Sequence, residues 1–390
     1  MKFTLRDYQQ ESSDRTIDFI ESQTKRNGDF LKSKKNGILV LPTGSGKSLI
    51  IADIVNRLTG NILILQPSKE ILEQNFEKLQ SYNVFDCSVF SASLNSKKIN
   101  RITFATIGSI VNKISQFKHF KYIIIDECHK VNPKAGMYRK LLKEIDAIVI
   151  GLTATPYRLT TVMDGSMLRF LTRTRPRVFS DVIHAVQVEE LVKRGYLANL
   201  EYFQINTVNT KELTVNSTGN GYVDSTIKSH YKEIDFQSKL QEIVKRLQLK
   251  RKNILVFTKF IDEAEFLVSN MKVGTAEIVT GTTNKKERER ILSDFKSGKV
   301  QVVANVGVLT IGFDFPELEC IVLARPTRSL ALYYQIIGRA IRPHEHKKTG
   351  WVVDLAGTYK LFGKVEELSI SSSGGWHIAN KKKQLTNVFF

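Results

Sequence analysis

The sequence predicts an α/β protein built from two tandem parallel-sheet domains. Short apolar runs alternate with helix-patterned segments twice over along its 390 residues, and strands that alternate with helices build parallel sheets. A polar stretch from Asn206 to Gly221, rich in Thr, Asn and Gly, breaks the periodicity between the two series. The first series also places a glycine-rich turn between an apolar run and a helical pattern, the context of a phosphate-binding loop.

In the first series, strands are expected at 37–41, 61–65, 101–105, 121–125 and 147–152, with helical patterns from Ile71 to Leu79 and from Tyr138 to Ile145. In the second, strands are expected at 253–257, 276–280, 300–304 and 319–323, with helices at 262–270 and 285–297. This divides the chain into a first domain over 1–198, a second over 199–359 and a tail over 360–390. The tail's Ser-Gly and Lys-rich end, Ser371 to Phe390, reads as mobile.

Composition narrows the partners. Against 39 Asp+Glu stand 58 Lys+Arg, a net charge of +19, which favours a polyanionic partner, with solubility as the plainer alternative. Cys87, Cys128 and Cys320 are widely spaced, make no metal-binding pattern and fit reduced thiols in a cytosolic compartment. The opening residues Met1 to Asp7 are no signal peptide and no apolar run approaches membrane-spanning length, so a cytoplasmic protein without a membrane partner is expected.

Two constellations in the first series carry chemistry. In Pro42-Thr43-Gly44-Ser45-Gly46-Lys47-Ser48, Gly44 and Gly46 let backbone N–H groups turn inward around a phosphate, and the following helix adds its dipole. Lys47 would reach the β- and γ-phosphates, while the Ser48 hydroxyl would ligate Mg²⁺. The position where such loops usually open with Gly or Ala is Leu41. Further on, Ile123-Ile124-Ile125 reads as a buried strand that delivers Asp126 and Glu127 to its end. Adjacent carboxylates repel unless a cation sits beside them; Asp126 would hold the nucleotide's Mg²⁺ and Glu127 would polarise a water. For a bare Asp-Glu pair, a strand running into an acidic turn is the alternative.

The second series adds Gln335-Ile336-Ile337-Gly338-Arg339-Ala340-Ile341-Arg342, which places two arginines three apart on one face of an expected helix. Arginines near a γ-phosphate neutralise the charge that develops there; an amphipathic surface helix is the alternative. In Thr310 to Pro316, Gly312 and Asp314 could approach a ribose or the interlobe cleft. From Leu168 to Arg177, Arg169, Arg173, Arg175 and Arg177 are interleaved with Phe170, Leu171 and Pro176. That segment would track a phosphate backbone, help separate strands, or simply be a solvated basic loop.

Together these segments resemble the superfamily-two helicases. Asp126-Glu127-Cys128-His129 stands where that family has its DEAH or DExH box, and Thr153-Ala154-Thr155-Pro156 matches its coupling motif. Gln335 to Arg342 matches the Gln-x-x-Gly-Arg-x-x-Arg motif, Ala304 to Pro316 the motif before it, and Leu5-Arg6-Asp7-Tyr8-Gln9 the adenine-reading segment. The motifs run in family order from residue 5 to about residue 357, and are similar in style to the compact phage and bacterial branch related to UvsW- and XPB-type DNA helicases and restriction-enzyme motors.

The resemblance implies two RecA-like lobes clamping ATP and Mg²⁺ between them, with nucleic acid running across both. Arg6 and Gln9 would read adenine, and Thr43 to Ser48 would cradle the phosphates. Ser48 and Asp126 would hold the metal, and Glu127 would orient the attacking water. Gln335, Arg339 and Arg342 would complete the site when the lobes close, with Gly312 and Asp314 beside them. His129, Thr153 and Thr155 would relay the nucleotide state. Nucleic-acid contacts would come from Pro67, Ser68, Lys69, Thr106, Ser109, Lys259, Thr282 and Thr310, with Arg173 and Arg175 from the basic segment. The expected activity is an ATP-dependent helicase or translocase acting as a monomer, on DNA in preference to RNA. A nucleic-acid-stimulated ATPase that does not unwind, or an RNA helicase, is the alternative.

Overall fold

A computed structural model describes residues 4–25, 29, 31–32, 34–162, 165–310 and 313–388; Gly312 lies outside the described residues. Seven strands open the chain: β1 (Gly37–Val40), β2 (Ile62–Gln66), β3 (Cys87–Ser91), β4 (Ser96–Lys97), β5 (Ile102–Thr106), β6 (Tyr122–Asp126) and β7 (Ile148–Thr153). A separate antiparallel hairpin follows, β8 (Tyr157–Val162) and β9 (Gly165–Phe170), before β10 (Asp181–Ala185) returns to the sheet. The sheet order is β10-β1-β7-β6-β2-β5-β3-β4, parallel except for the β3–β4 pair. Helices α1 (Asp7–Ser22), α2 (Lys47–Arg57) and α3 (Lys69–Ser81) belong to the same half.

A second sheet takes β11 (Asn199–Gln204), β12 (Ile254–Thr258), β13 (Ala276–Val279), β14 (Val302–Asn305), β15 (Cys320–Ala324) and β16 (Thr349–Asp354). Its order is β11-β16-β15-β12-β14-β13, parallel throughout. The central strands of both sheets are buried along their whole length, because helices cover both faces of a parallel sheet. That is why they read as unbroken apolar runs. Ile123, Ile124 and Ile125 have no exposed surface, and each contributes about 1.5–3 kcal/mol by leaving water.

The expected central strands are all present, within one or two residues of their expected bounds. The strands missed include β3 and β16 inside the sheets as well as the edge strands β10 and β11. β11 alternates exposed and half-buried residues, and β10 mixes Asp and His into a short run, so neither carries an apolar signal.

Two expectations are corrected. The basic segment at 168–177 is a loop only in part: its first residues close β9, Phe170 and Leu171 are buried, and the remainder joins β9 to β10 with Arg173, Arg175 and Arg177 exposed. The tail, as far as residue 388, is folded onto the rest of the molecule. It forms a hairpin of β17 (Ser369–Ser371) and β18 (His377–Ala379) and buries Ile378 and Leu385. The Trp376 ring stacks on Phe170 at 6.3 Å. Asn387 accepts the Phe170 N–H and donates to the Trp376 carbonyl, both at 3.0 Å. The Gln187 amide pairs with both backbone groups of Ile370, at 2.9 and 3.1 Å. These contacts tie the tail to the first half of the molecule, and none follows from local sequence.

One packing detail bears on the site. A Cβ added to Gly151 on β7 would lie 2.6 Å from the Cys128 sulfur and 2.9 Å from Phe179. Gly151→Ala should therefore cost about 1–3 kcal/mol in urea unfolding, as overpacking does. Part of that loss should return in the Gly151→Ala/Cys128→Ala double variant; additive losses would show that the two residues do not compete for space.

Candidate functional site

The C-terminal ends of β1, β7, β6 and β2 lie side by side. Val40 is in register with Thr153, and Asp126 with Leu152. In open parallel sheets ligands bind in the crevice at this edge. After β1, Leu41 continues into the core with no exposed surface and donates its N–H to the Thr153 carbonyl at 3.0 Å. The leucine at the usual Gly/Ala position thus extends the strand and leaves the loop clear. The chain then turns through Gly44 (φ 85°) and Gly46 (φ 77°), a conformation that costs glycine little. At Gly46 a Cβ would also strike Gln9 Nε2 at 2.6 Å.

α1 braces this loop from behind. Tyr8 Oη and Gln9 Nε2 both donate to the Ser45 carbonyl at 2.8 Å, and Gln9 Oε1 accepts the Arg6 N–H at 2.9 Å. Lys47 Nζ rests against the carbonyls of Leu41 and Pro42 at 3.2 and 3.4 Å. Ser48 Oγ donates to Asn75 Oδ1 at 2.7 Å, and Asn75 Nδ2 donates to Gln66 Oε1 at 3.1 Å.

Asp126 ends β6 almost fully buried and accepts the Glu127 N–H at 2.9 Å. Glu127 itself adopts a left-handed backbone (φ 51°, ψ 49°), a cost of about 1–3 kcal/mol for a residue with a side chain. Burial, with the Glu127 charge beside it, pushes the Asp126 carboxyl up to about 7. Burial also opposes ionisation of Glu127, but His129, Lys47 and Lys130 together outweigh it and hold this carboxyl well below the usual range. His129 Nδ1 sits 3.2 Å from Glu127 Oε2, 2.9 Å from Thr153 Oγ1 and 3.1 Å from Thr155 Oγ1. One imidazole nitrogen therefore lies within reach of the carboxylate and of both threonines. Cys128 is fully buried, and burial raises its thiol well above the ordinary value.

The opposite wall comes from the second sheet, and it corrects the expected helix face. The helix Leu330–Ile337 stops at Gly338, so Arg339 and Arg342 lie in the turns beyond it. A Cβ on Gly338 would come within 2.8 Å of Thr43 Cβ; the missing side chain lets the two halves touch at the phosphate-loop residue. Arg339 is buried and donates to the carbonyls of Phe313 at 2.6 Å and Thr310 at 2.8 Å. Burial lowers its guanidinium to about 10, with the Glu127 charge acting the other way. Arg342 pairs with Asp314, and its Nε is buried without a partner, as is Ser45 Oγ.

These walls enclose a cleft of about 530 Å³. It brings together Thr43, Gly44, Gly46, Lys47, Ser48, Asp126, Glu127, Asp314, Arg339 and Arg342. α3 adds Ile71, Gln74, Asn75 and Lys78, which sequence reasoning missed. Their i, i+4 spacing after the Gln66 segment was the available signal.

Other expected residues lie elsewhere. Arg6 stacks on Tyr196 at 4.4 Å, and with Gln9 it supports the loop from outside the cleft lining. Gln335 is half-buried on the helix Leu330–Ile337 and does not line the cleft. Thr106 ends β5, and Pro67, Ser68, Lys69, Lys259, Thr282 and Thr310 follow the C-terminal ends of β2, β12, β13 and β14. Several already have partners: Lys69 with the Ser93 carbonyl at 2.8 Å, Thr106 with Ser109 at 2.9 Å, Lys259 with Asp224 at 2.9 Å. Arg173 and Arg175 are exposed on the segment joining β9 to β10.

Among the described residues, Glu212, His230 and Glu233 form a group spaced for a metal. However, His230 Nε2 accepts the Asn209 N–H at 3.1 Å, which leaves the ring proton on Nδ1, 2.9 Å from Glu212. This is a histidine–carboxylate pair.

Residues 2–158 match the family model described as Type III restriction enzyme, res subunit, and residues 237–344 match the helicase conserved C-terminal domain. The chain belongs to the superfamily-two helicases. It is 26% identical to the putative ATP-dependent helicase IRC3 of Saccharomyces cerevisiae, over 90% of this chain and 51% of that protein. It is 25% identical to the DNA 3'-5' translocase XPB2 of Sulfurisphaera tokodaii, over 87% of this chain and 79% of that one. The fold is similar to a fragment of a putative HsdR subunit of a type I restriction enzyme from Vibrio vulnificus YJ016, with a TM-score of 0.67 and 22% identity over 92% of this chain and 65% of that one. The chain thus spans about half the length of the yeast relative and about two thirds of the structural one. Membership of the superfamily-two helicases implies ATP use.

The Gly338–Thr43 contact supplies a test for this helicase. Gly338 has an ordinary helical backbone (φ −55°), so Gly338→Ala meets no backbone strain, and any loss of stability should stay within the roughly 1–3 kcal/mol of overpacking against Thr43. The substitution should lower ATP turnover about tenfold or more by holding the arginines off the phosphate loop, since small misplacements are costly in a positioned site. Unchanged steady-state turnover would show that the contact is not part of the working state.

Proposed function

We propose that this chain is an ATP-dependent helicase or translocase that acts on DNA. The observation that carries the reading is the cleft itself: a phosphate-binding loop and a carboxylate pair from the first half, and the buried Arg339 with the half-buried Arg342 from the second. The donors fit a nucleotide. Gly44 and Gly46 leave a cradle free of side chains, and the Ser45 Oγ and Arg342 Nε atoms are buried without partners. Lys47, Arg339, Arg342 and Lys78 outnumber the three carboxylates of the cleft, which suits a polyphosphate.

Ser48 and Asp126 offer the hard oxygen ligands that Mg²⁺ takes, and the ion would neutralise phosphate charge there. Lys47 and the loop's N–H groups hold the phosphates of the substrate. Glu127, kept ionised by His129 and Lys47, accepts the proton of the attacking water. Arg339 and Arg342 stabilise the charge developing on the transferred group. His129 Nδ1, within reach of Glu127 and of both threonines, makes the carboxylate sensitive to the edge where β7 ends.

Nucleic acid would run along the strand ends that carry Pro67, Ser68, Lys69, Thr106, Lys259, Thr282 and Thr310. Hydroxyls and ammonium groups grip phosphates without reading bases, as a motor moving over any sequence requires. The net charge of +19 supports a polyanionic track, and the archaeal relative is named a DNA translocase.

Two measurements test the reading. Glu127→Gln should keep nucleotide affinity while turnover falls ~10²–10⁴-fold, the range for losing a general base; near-normal hydrolysis would remove Glu127 from that role. ATP-driven displacement should appear on at least one of a panel of DNA duplexes with 3′, 5′ or no overhangs, forks and four-way junctions, and be weaker on matched RNA. ATP turnover stimulated by nucleic acid, with no displacement or translocation on any substrate, would sink the motor reading and leave a remodelling or signalling ATPase.

A further inference from the structure

The β8–β9 hairpin is set apart from both sheets, yet it touches three separate parts of the molecule. It leaves β7 directly after Thr153-Ala154-Thr155-Pro156. At its base Phe170 is held by Asn387 and Trp376 of the tail. Further out, Ser166 Oγ donates to the Thr218 carbonyl at 3.0 Å, and Gly219 lies so close that a Cβ there would sit 2.7 Å from that hydroxyl. Thr218 and Gly219 precede the helices of the second half, so the hairpin reaches from the carboxylate edge of the first sheet to the turn that leads into those helices.

Its link to the site is a single side chain. Arg158 on β8 is half-buried and donates from Nη1 to the main-chain carbonyl of His129 at 2.6 Å. That carbonyl belongs to the short 3₁₀ turn Cys128–Lys130, whose other bonds run from Lys130 N–H to Glu127 O and from Val131 N–H to Cys128 O, both at 3.0 Å. The last carbonyls of such a turn have no partner within it, and Arg158 supplies one. Opposite Arg158 in the hairpin register stands Arg169, a like charge that disfavours the pairing. Placing a cation there is unfavourable for the hairpin by itself, and it is the His129 carbonyl that gives the side chain a partner.

We infer that Arg158 is a positioning residue for hydrolysis: by clamping the turn that carries Glu127 and His129 to the β8–β9 hairpin, it makes the rate of ATP cleavage respond to the second half of the molecule. The inference rests on the reading of the cleft as an ATP site. Arg158 does not line that cleft, so its removal leaves the phosphate-binding groups in place. What it alters is the support of the turn that follows Glu127, whose own backbone is left-handed (φ 51°).

The test compares wild type, Arg158→Ala and Arg158→Lys for fluorescent-nucleotide affinity and for ATP kcat and KM, with and without a forked DNA. In Arg158→Ala, nucleotide Kd and KM should stay within about twofold while kcat falls by about tenfold to a hundredfold, the cost of a small misplacement in a positioned site. The DNA-stimulated rate should fall more than the basal rate. Arg158→Lys, which keeps one donor for the carbonyl, should recover part of both. Arg158→Ala with kcat and stimulation unchanged overturns the inference, as does a parallel loss of nucleotide affinity and kcat that lysine does not relieve. Absence of ATP turnover in the wild-type protein would instead overturn the underlying reading.

Discussion

Two adjacent carboxylates removed from water are the constraint around which this molecule is arranged. Asp126 ends a strand whose isoleucines are wholly buried and is itself almost fully buried, and Glu127 follows it half-buried. A buried charge without partners costs far more than a fold of this size can bear. The surrounding elements answer that demand one by one. Lys47 comes from the first turn of α2, His129 from the turn beyond the pair, and Arg339 from the other sheet. Burial and the neighbouring Glu127 charge push the Asp126 carboxyl up, while His129, Lys47 and Lys130 outweigh burial and hold Glu127 down. Pairs driven apart in this way mark acid–base assignments.

The second consequence is that the site is finished only by contact between halves. Gly338 against Thr43 and the Ala198 N–H on the Ile341 carbonyl at 2.7 Å bring Arg339 and Arg342 to a loop more than two hundred and ninety residues earlier in the chain. A site divided between two bodies is one whose chemistry depends on their separation, and that is the physical basis for coupling hydrolysis to motion. The tail adds to this arrangement by running back from the second half to grip the β8–β9 hairpin.

How much of this was legible in the chain follows from how local each signal is. The loop from Thr43 to Ser48 could be read because glycines with positive φ, a lysine and a serine must be contiguous to wrap a phosphate. Central strands could be read because helices on both faces force unbroken apolar runs. The arginines were found, but not their setting, since Gly338 ends the helix for a contact with Thr43 that no window around residue 338 contains. Asn75 and Lys78 escaped because one face of α3 is ordinary in sequence and acquires its role only from the cleft beside it. The tail read as mobile because its serines, glycines and lysines lack periodicity, whereas its order comes from Phe170 and Gln187 far upstream.

The amino-acid sequence by itself determined the α/β plan, the phosphate loop, the paired carboxylates and the family to which they belong, because each rests on short-range spacing that the backbone geometry of strands and turns translates directly. Tertiary structure alone decided which charge faces which. It set the ionised state of Glu127, the place of the arginines past the end of their helix, the closure of the tail over the hairpin and the bond from Arg158 to the His129 carbonyl. The reason is that electrostatic and packing energies depend on distance in space, and residues remote in sequence supply most of the partners.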